Sequence, residues 1–224
     1  MIDYMQKGGP LMWLILFCSV VSVAVFFERL IYLHRVTIRV GEFLRGLAIL
    51  IRHRNYAEAL HECAGTPGPV ARVIHAAVIH HGVSRSELKD IVQEAGQLEV
   101  PKLERNLTIL TTIAYVTPLI GLLGTVTGMI DAFVTISSHS GLASSTEIAT
   151  GIYQSLLTTA ASLVVAIPTA VAYSFLSSRV QTLLHDMERG GIEIVNLITE
   201  KRAGADIIEF GGSSEVGGRE ATLK

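Results

Sequence analysis

NLTILTTIAYVTPLIGLLGTVTGMI, residues 106–130, is uncharged throughout, and so is IATGIYQSLLTTAASLVVAIPTAVAYSFLSS, residues 148–178. Each run exceeds the ~20 residues a helix needs to cross a bilayer's hydrocarbon core. Asp131 and Glu147 are the only charges in the connection between them. Neither run is a plain apolar anchor. The first carries Thr117, Pro118, Gly121, Gly124, Thr125, Thr127 and Gly128; the second carries Gln154, Ser155, Thr158, Thr159, Ser162 and Pro168. Small and hydroxyl residues at membrane depth belong to helices that pack on helices or line a polar path.

A third uncharged run lies near the start, at residues 11–27, and as a helix it is about 26 Å long, just enough to span. Pro10 suits the first turn, where its missing N–H costs nothing. A secretory signal would show a basic segment before the run and a small-residue cleavage site after it, but only Lys7 precedes and Phe26-Phe27-Glu28-Arg29 follows. A retained first span is expected. With hydrophobic residues at 50% of 224, the chain falls in the membrane class, and its formal net charge of −2 matters less than where the charges sit.

One Lys precedes the first span, 11 Lys or Arg lie between residues 29 and 105, none lies between the second and third spans, and six follow the third. The positive-inside bias therefore predicts a cytoplasmic 29–105 segment and C-terminus, with the N-terminus and the 131–147 loop outside. The expected organisation is a periplasmic N-terminus at 1–9, spans at 10–33, 106–133 and 148–178, and a cytoplasmic helical segment at 34–105. A periplasmic loop at 134–147, a cytoplasmic helix at 179–202 and a disordered tail at 203–224 complete it.

The cytoplasmic segment reads as helical. Asn55 with Glu58, and Ser84 with Glu87, place a capping residue three positions before a glutamate. Thr66-Pro67-Gly68-Pro69 is a strong break. Leu88, Ile91, Val92, Ala95 and Leu98 recur at helical spacing and form one apolar stripe, which needs a covering partner. Pro101 either interrupts that helix or begins the next, and Gly190-Gly191 is the expected hinge beyond the third span.

Cys18 and Cys63 make no disulfide framework. His53, His61, His75, His80 and His81 cluster in sequence without cysteine pairs or an H-E-x-x-H pattern, so ordinary histidines are expected, with neither metal nor cofactor. No nucleophile–base set appears, and an enzyme is not expected; nor is a nucleic-acid partner.

Within the second span, Gly121, Gly124 and Gly128 fall a turn apart and allow close backbone approach. Thr117 and Thr125 lie two turns apart on nearly the same side. In the third span Gln154, Thr158 and Ser162 form one stripe, and Ser155, Thr159 and Ser162 an adjoining one. The pattern alone leaves two readings open, a polar pathway and a polar packing seam. No Asp, Glu, Lys, Arg or His stands mid-span, so a proton crossing here needs a carrier from outside the chain.

Residues 107–110 leading into 113–130 and Asp131-Ala132-Phe133 closely resemble the second-helix signature of the MotA/TolQ/ExbB proton-channel family. Gly151-Ile152, the run from Leu156 to Ala160 and Ala166-Ile167-Pro168 resemble its third-helix signature, and Glu28-Arg29 after the first span agrees. The resemblance extends to about Arg202 and is closest to the three-span ExbB/TolQ-like members.

It implies an all-α integral membrane protein of the bacterial inner membrane, with three transmembrane helices. The second and third extend into a large cytoplasmic helical region, and five copies form a homo-oligomeric ring. Two copies of a single-span ExbD/TolR-like partner would sit inside, with a TonB- or TolA-like protein beyond. Proton flow down the proton-motive force would turn the partner, with Thr125 and Thr159 facing its membrane aspartate and Gln154, Thr158 and Ser162 lining the path. Gly121, Gly124, Gly128, Pro118 and Pro168 would pack the helices. Where ExbB-like members often carry a third-helix glutamate this chain has Gln154, which cannot titrate; the competing reading is a non-conducting scaffold whose seam only packs helices.

Overall fold

The computed structural model describes residues 9–138 and 145–213, and these are helical almost throughout. Seven helices follow in order: α1 (Gly9–Val36), α2 (Val40–Arg52), α3 (Tyr56–Gly65), α4 (Pro69–Ile79), α5 (Arg85–Glu104), α6 (Leu107–Ser138) and α7 (Ser145–Ser213). Among the described residues three stretches are long and apolar enough to cross a membrane, within Gly9–Arg52, Leu107–Ser138 and Ala149–Glu200. Expectations for residues 1–8, 139–144 and 214–224 lie outside the described residues. The backbone of α7 continues to Ser213, into the stretch expected to be tail.

The chain divides into two compact units, Met1–Tyr32 with Glu104–Arg179, and Leu33–Leu103 with Val180–Lys224. The first unit holds the spans. Its interior is lined by Ile15, Ser22 and Arg29 of α1, by Leu110, Ile113, Thr117, Gly121 and Gly124 of α6, and by Ser155, Thr158, Ser162, Ala166 and Thr169 of α7. Its outside carries Phe17, Val20, Phe27, Leu119, Leu122, Val126, Val164 and Val171, all exposed. Large apolar residues outside and small polar ones inside is how helices pack in lipid, where burying apolar surface against protein gains little and close backbone approach decides.

The helix leading into the membrane breaks at Arg105-Asn106 rather than at Pro101, which lies inside α5. Asn106 takes a left-handed φ of 63°, a conformation asparagine tolerates better than most residues. Its side-chain amide donates to Glu28 Oε2 at 2.9 Å, and Glu28 pairs with the buried Arg29 at 3.3 Å. Arg29 also lies 5.1 Å from the Tyr32 ring centre, within cation–π range. The Glu28-Arg29 pair noted in the sequence thus ties the end of the first span to the start of the second.

In the second unit the caps form where their spacing places them. Glu58 N–H donates to Asn55 Oδ1 at 3.4 Å ahead of α3, and Glu87 N–H to Ser84 Oγ at 3.3 Å ahead of α5. Gly68, at φ 129°, turns the chain between α3 and α4 so closely that a Cβ there would meet the Val36 carbonyl oxygen at 2.7 Å. The Gly190-Gly191 pair, expected as a hinge, sits inside unbroken helix. Both are buried, and a Cβ on Gly191 would fall 2.6 Å from Val92 Cγ1, so these glycines serve close packing of α7 against α5.

The buried face of α5 also departs from the expected stripe. Leu98 is 65% exposed, while Leu88, Val92, Glu99 and Leu103 face inward. Glu99 is tolerated there because Arg72 of α4 and Lys102 both donate to its carboxylate, at 2.5 and 2.6 Å. Burial alone would push this carboxyl up, but the hydrogen bonds and charges of Arg72 and Lys102 outweigh it and hold it below its ordinary value. Burial, with the neighbouring Glu62 charge, pushes the Cys63 thiol up to about 11. His80 and His81 each bring Nδ1 to a carbonyl at the end of α4, and His81 stacks on Tyr56 at 4.0 Å.

Candidate functional site: the polar seam between the second and third spans

Three glycines of α6 determine how closely α7 approaches. A Cβ placed on Gly121 would lie 2.0 Å from Ser162 Oγ, 2.7 Å from Ser162 Cβ and 3.2 Å from Thr159 Cα. On Gly124 it would lie 2.8 Å from Thr158 Cγ2, and on Gly128 2.7 Å from Ser155 Cβ. The register is antiparallel: Gly121 faces Ser162, Gly124 faces Thr158, and Gly128 faces Ser155 and Gly151. The two hydroxyl stripes read in the sequence therefore lie largely within this seam. Thr158 is 2% exposed and Ser162 0%.

Buried hydroxyls need acceptors, and most find them locally. Thr158 donates to the Gln154 carbonyl at 2.9 Å, Ser162 to Thr159 at 2.8 Å and Ser155 to Ile152 at 2.8 Å, the back-bonding open to serine and threonine in helices. Thr159 differs. Its hydroxyl crosses the seam to the Gly121 carbonyl at 2.9 Å, made reachable because Gly121 has no side chain. One turn of glycine thus provides both the close approach and the acceptor.

Thr125 lies apart from this pair. Its hydroxyl donates to the Leu122 carbonyl at 2.6 Å, and the residue borders a groove of about 230 Å³ with Met129, Phe133, Ile152, Ser155 and Leu156. Gln154 is half-buried and turned toward the start of the first span, where its Nε2 lies 3.0 Å from the place a Cβ on Gly9 would occupy. Pro118 is half-buried within α6 and Pro168 exposed within α7; neither helix ends at its proline. Thr159 and Ser162 thus come together around Gly121, Thr158 packs beside them on Gly124, and Thr125 and Gln154 face elsewhere.

Sequence reasoning passed over two polar positions. Ser22 of α1 shares a buried hydrogen bond with Thr169 of α7 at 2.7 Å, tying the first span to the third. Thr117, noted only for its spacing from Thr125, is 0% exposed, and its hydroxyl has no hydrogen-bond partner. A lone serine in an apolar run carries no signal of its own; Thr117, directly before a proline, did.

Comparison with known proteins fits this architecture. Residues 66–189 match the MotA/TolQ/ExbB proton channel family, a region that includes α6 and the seam-forming part of α7. The chain is 30% identical over 193 residues to a biopolymer transport protein, ExbB-like 3, of Synechocystis sp., covering 85% of this chain and 92% of that one. It is 28% identical over 175 residues to biopolymer transport protein exbB1 of Vibrio cholerae, 77% of each chain. Over a shorter stretch of 88 residues, 39% of this chain and 38% of the other, it is 41% identical to the Tol-Pal system protein TolQ of Haemophilus influenzae. An all-helical chain with three candidate spans and a glycine-hydroxyl seam between the last two, it belongs to the MotA/TolQ/ExbB proton channel family.

Proposed function

We propose that this chain is the ring subunit of a non-enzymatic motor of the bacterial inner membrane, driven by the proton-motive force. It couples proton flow to rotation or movement of an ExbD/TolR-like single-span partner. Five copies surround two partner helices, with the N-terminus periplasmic and the C-terminus cytoplasmic. The work is passed to a TonB- or TolA-like protein for transport or envelope maintenance. The family and the names of the relatives, biopolymer transport and Tol-Pal proteins, support this assignment.

The observation that carries it is a division of labour among the hydroxyls. Thr158, Ser155 and Ser162 spend theirs within the seam, while Thr125 borders a groove and Thr159 holds the adjoining Gly121 carbonyl. Mid-span the chain supplies no Asp, Glu, Lys, Arg or His, so the proton carrier is the partner's aspartate. A membrane potential provides roughly 2.3 kcal/mol per charge per 100 mV, enough for one proton to bias a modest step. Gln154 can orient that carboxylate or a water but cannot replace it.

The burial of Thr158 and Ser162 against glycines favours the second reading for those two residues, a seam that only packs helices. Proteoliposomes separate the readings. The chain reconstituted with its partner should pass protons under an imposed potential, and Thr125→Val should abolish the flux while leaving the assembly intact. Flux without the partner, or none with it, sinks the motor reading in favour of the scaffold.

A further inference from the structure

We infer that the exposed face of α2 lies on the cytoplasmic leaflet of the membrane and binds the phosphodiester headgroups of anionic phospholipids through Arg45 and Arg52. The inference rests on the orientation proposed above, with residues 29–105 cytoplasmic, and is independent of proton conduction.

Charge is divided unevenly along the cytoplasmic segment. Residues 29–54 contain six arginines, no lysine and a single acidic residue, Glu42. Residues 55–105 contain five basic residues against seven acidic ones. The positive charge thus crowds into the stretch that follows the first span, and all of it is guanidinium. Guanidinium is planar and forked, and it grips phosphate oxygens two at a time where an ammonium acts as a point charge. A topological bias alone asks for basic residues near a span. It does not ask that they share one open helix face.

The fold of α2 provides that face. Leu44, Leu47 and Ile51 are buried and turn one side of the helix inward. Arg45, Ile49 and Arg52, at i, i+4 and i+7, form a stripe on the other side, and all three are exposed. A Cβ built on Gly41 or Gly46 would meet nothing within 4 Å, so this side is uncovered along the helix. Glu42 is engaged by Arg39 at 3.2 Å, whereas Arg35, Arg45, Arg52 and Arg54 take part in no ion pair among the described residues. Ile49, 60% exposed, stands between the two arginines and gives the face the mixed cationic and apolar character of a helix that lies on lipid.

The chain itself brings this face to the bilayer. α1 ends at Val36 and α2 begins at Val40. From Phe27, where the uncharged run ends, to Val36 is at most about 14 Å of helix. The headgroup layer takes up roughly 5–7 Å of that. What remains is within the Debye length of about 8 Å, over which the charge of an anionic leaflet is felt at physiological salt. An acidic protein would have to reach the same arginines from solution; the lipid surface is already beside them. Adsorbed in this way, α2 anchors the cytoplasmic end of the first span.

The test uses the full-length protein with Cys18→Ser and Ile49→Cys, the new thiol carrying a nitroxide; Cys63 is buried, with its thiol pushed up to about 11, and labels slowly. The protein is placed in nanodiscs of phosphatidylcholine with and without phosphatidylglycerol, and collision of the label with an uncharged water-soluble nickel chelate is read by electron paramagnetic resonance. Phosphatidylglycerol should lower the collision rate several-fold, and high salt should restore it. Arg45→Gln with Arg52→Gln should remove the lipid dependence, while Lys89→Gln, in the acidic part of the segment, should keep it. Both arginines are exposed and unpaired, so the double variant should melt near the parent. Equal collision rates in the two bilayers overturn the inference: high in both, the face stands in water; low in both, apolar contact or a second copy covers it. A lipid dependence that survives the double variant overturns the assignment to Arg45 and Arg52.

Discussion

Gly121→Ala should separate the second and third spans, and the structure says by how much. The new Cβ would meet Ser162 Oγ at 2.0 Å, Ser162 Cβ at 2.7 Å and Thr159 Cα at 3.2 Å. The hydroxyl can rotate away; the two carbon atoms are tied to the α7 backbone. Carbon atoms rest at about 3.5–4.0 Å, so the helices must part by about 1 Å at this level. That movement stretches the 2.9 Å bond from Thr159 to the Gly121 carbonyl out of hydrogen-bond range. Overpacking costs about 1–3 kcal/mol, and a hydrogen bond between membrane helices contributes about 0.6 more. Against this, alanine gains up to about 1 kcal/mol over glycine in helix propensity. The balance is a loss of about 1–3 kcal/mol, on the order of 5 °C in melting temperature for a chain of this size.

The assay is thermal unfolding of the purified protein in one fixed detergent, with two companions. Gly46→Ala, in α2 with nothing within 4 Å of the new Cβ, should be neutral or slightly stabilising. Gly121→Ala with Ser162→Gly removes the clashing Cβ and should recover stability, giving a coupling of at least about 0.5 kcal/mol in a double-mutant cycle. If Gly121→Ala behaves like Gly46→Ala and the cycle shows no coupling, Gly121 does not face Ser162 and the antiparallel register is wrong.

Three further outcomes follow from the geometry. Glu99→Gln should cost roughly 1.5–3 kcal/mol by removing the charged acceptor from Arg72 and Lys102. Because the folded carboxyl lies below its ordinary 4.5, its contribution is complete above that value and is lost as pH falls through the folded one; acid-melting curves of parent and variant should converge there, and parallel curves refute the pairing. With Cys18→Ser removing the other thiol, Cys63 raised from 9.0 to about 11 should alkylate at pH 8 about 100-fold more slowly when folded than in denaturant; equal rates contradict its burial. In proteoliposomes Gln154→Glu should be tolerated better than Thr159→Val, since only the latter loses the cross-seam bond to Gly121; equal loss of proton flux counts against the roles proposed for both.

Much of the fold was legible because its signals are local. Span length, the caps at Asn55 and Ser84, the break at Thr66-Pro67-Gly68-Pro69 and the family signature of the second helix each lie within a few consecutive residues. The pairing of hydroxyls was not legible for the same reason. α6 and the spanning part of α7 are apolar on nearly every side, so no period in the sequence marks which face turns inward. Thr158, Ser162 and Thr159 could be grouped by spacing, but not assigned to a seam or a path.

Composition and order of residues alone thus determined a three-span helical membrane protein with its charges at the ends. Tertiary structure decided the rest. It turned Glu99 inward in place of Leu98, because two cations from separate positions converge on one carboxylate. It made Gly190-Gly191 a packing surface rather than a hinge, because the Val92 side chain fills the space a Cβ would need. It set Ser162 and Thr159 on Gly121 and left Thr117 unpaired beside Pro118. Each outcome depends on the rotation of one helix against another, which no single stretch of chain encodes and which close packing selects.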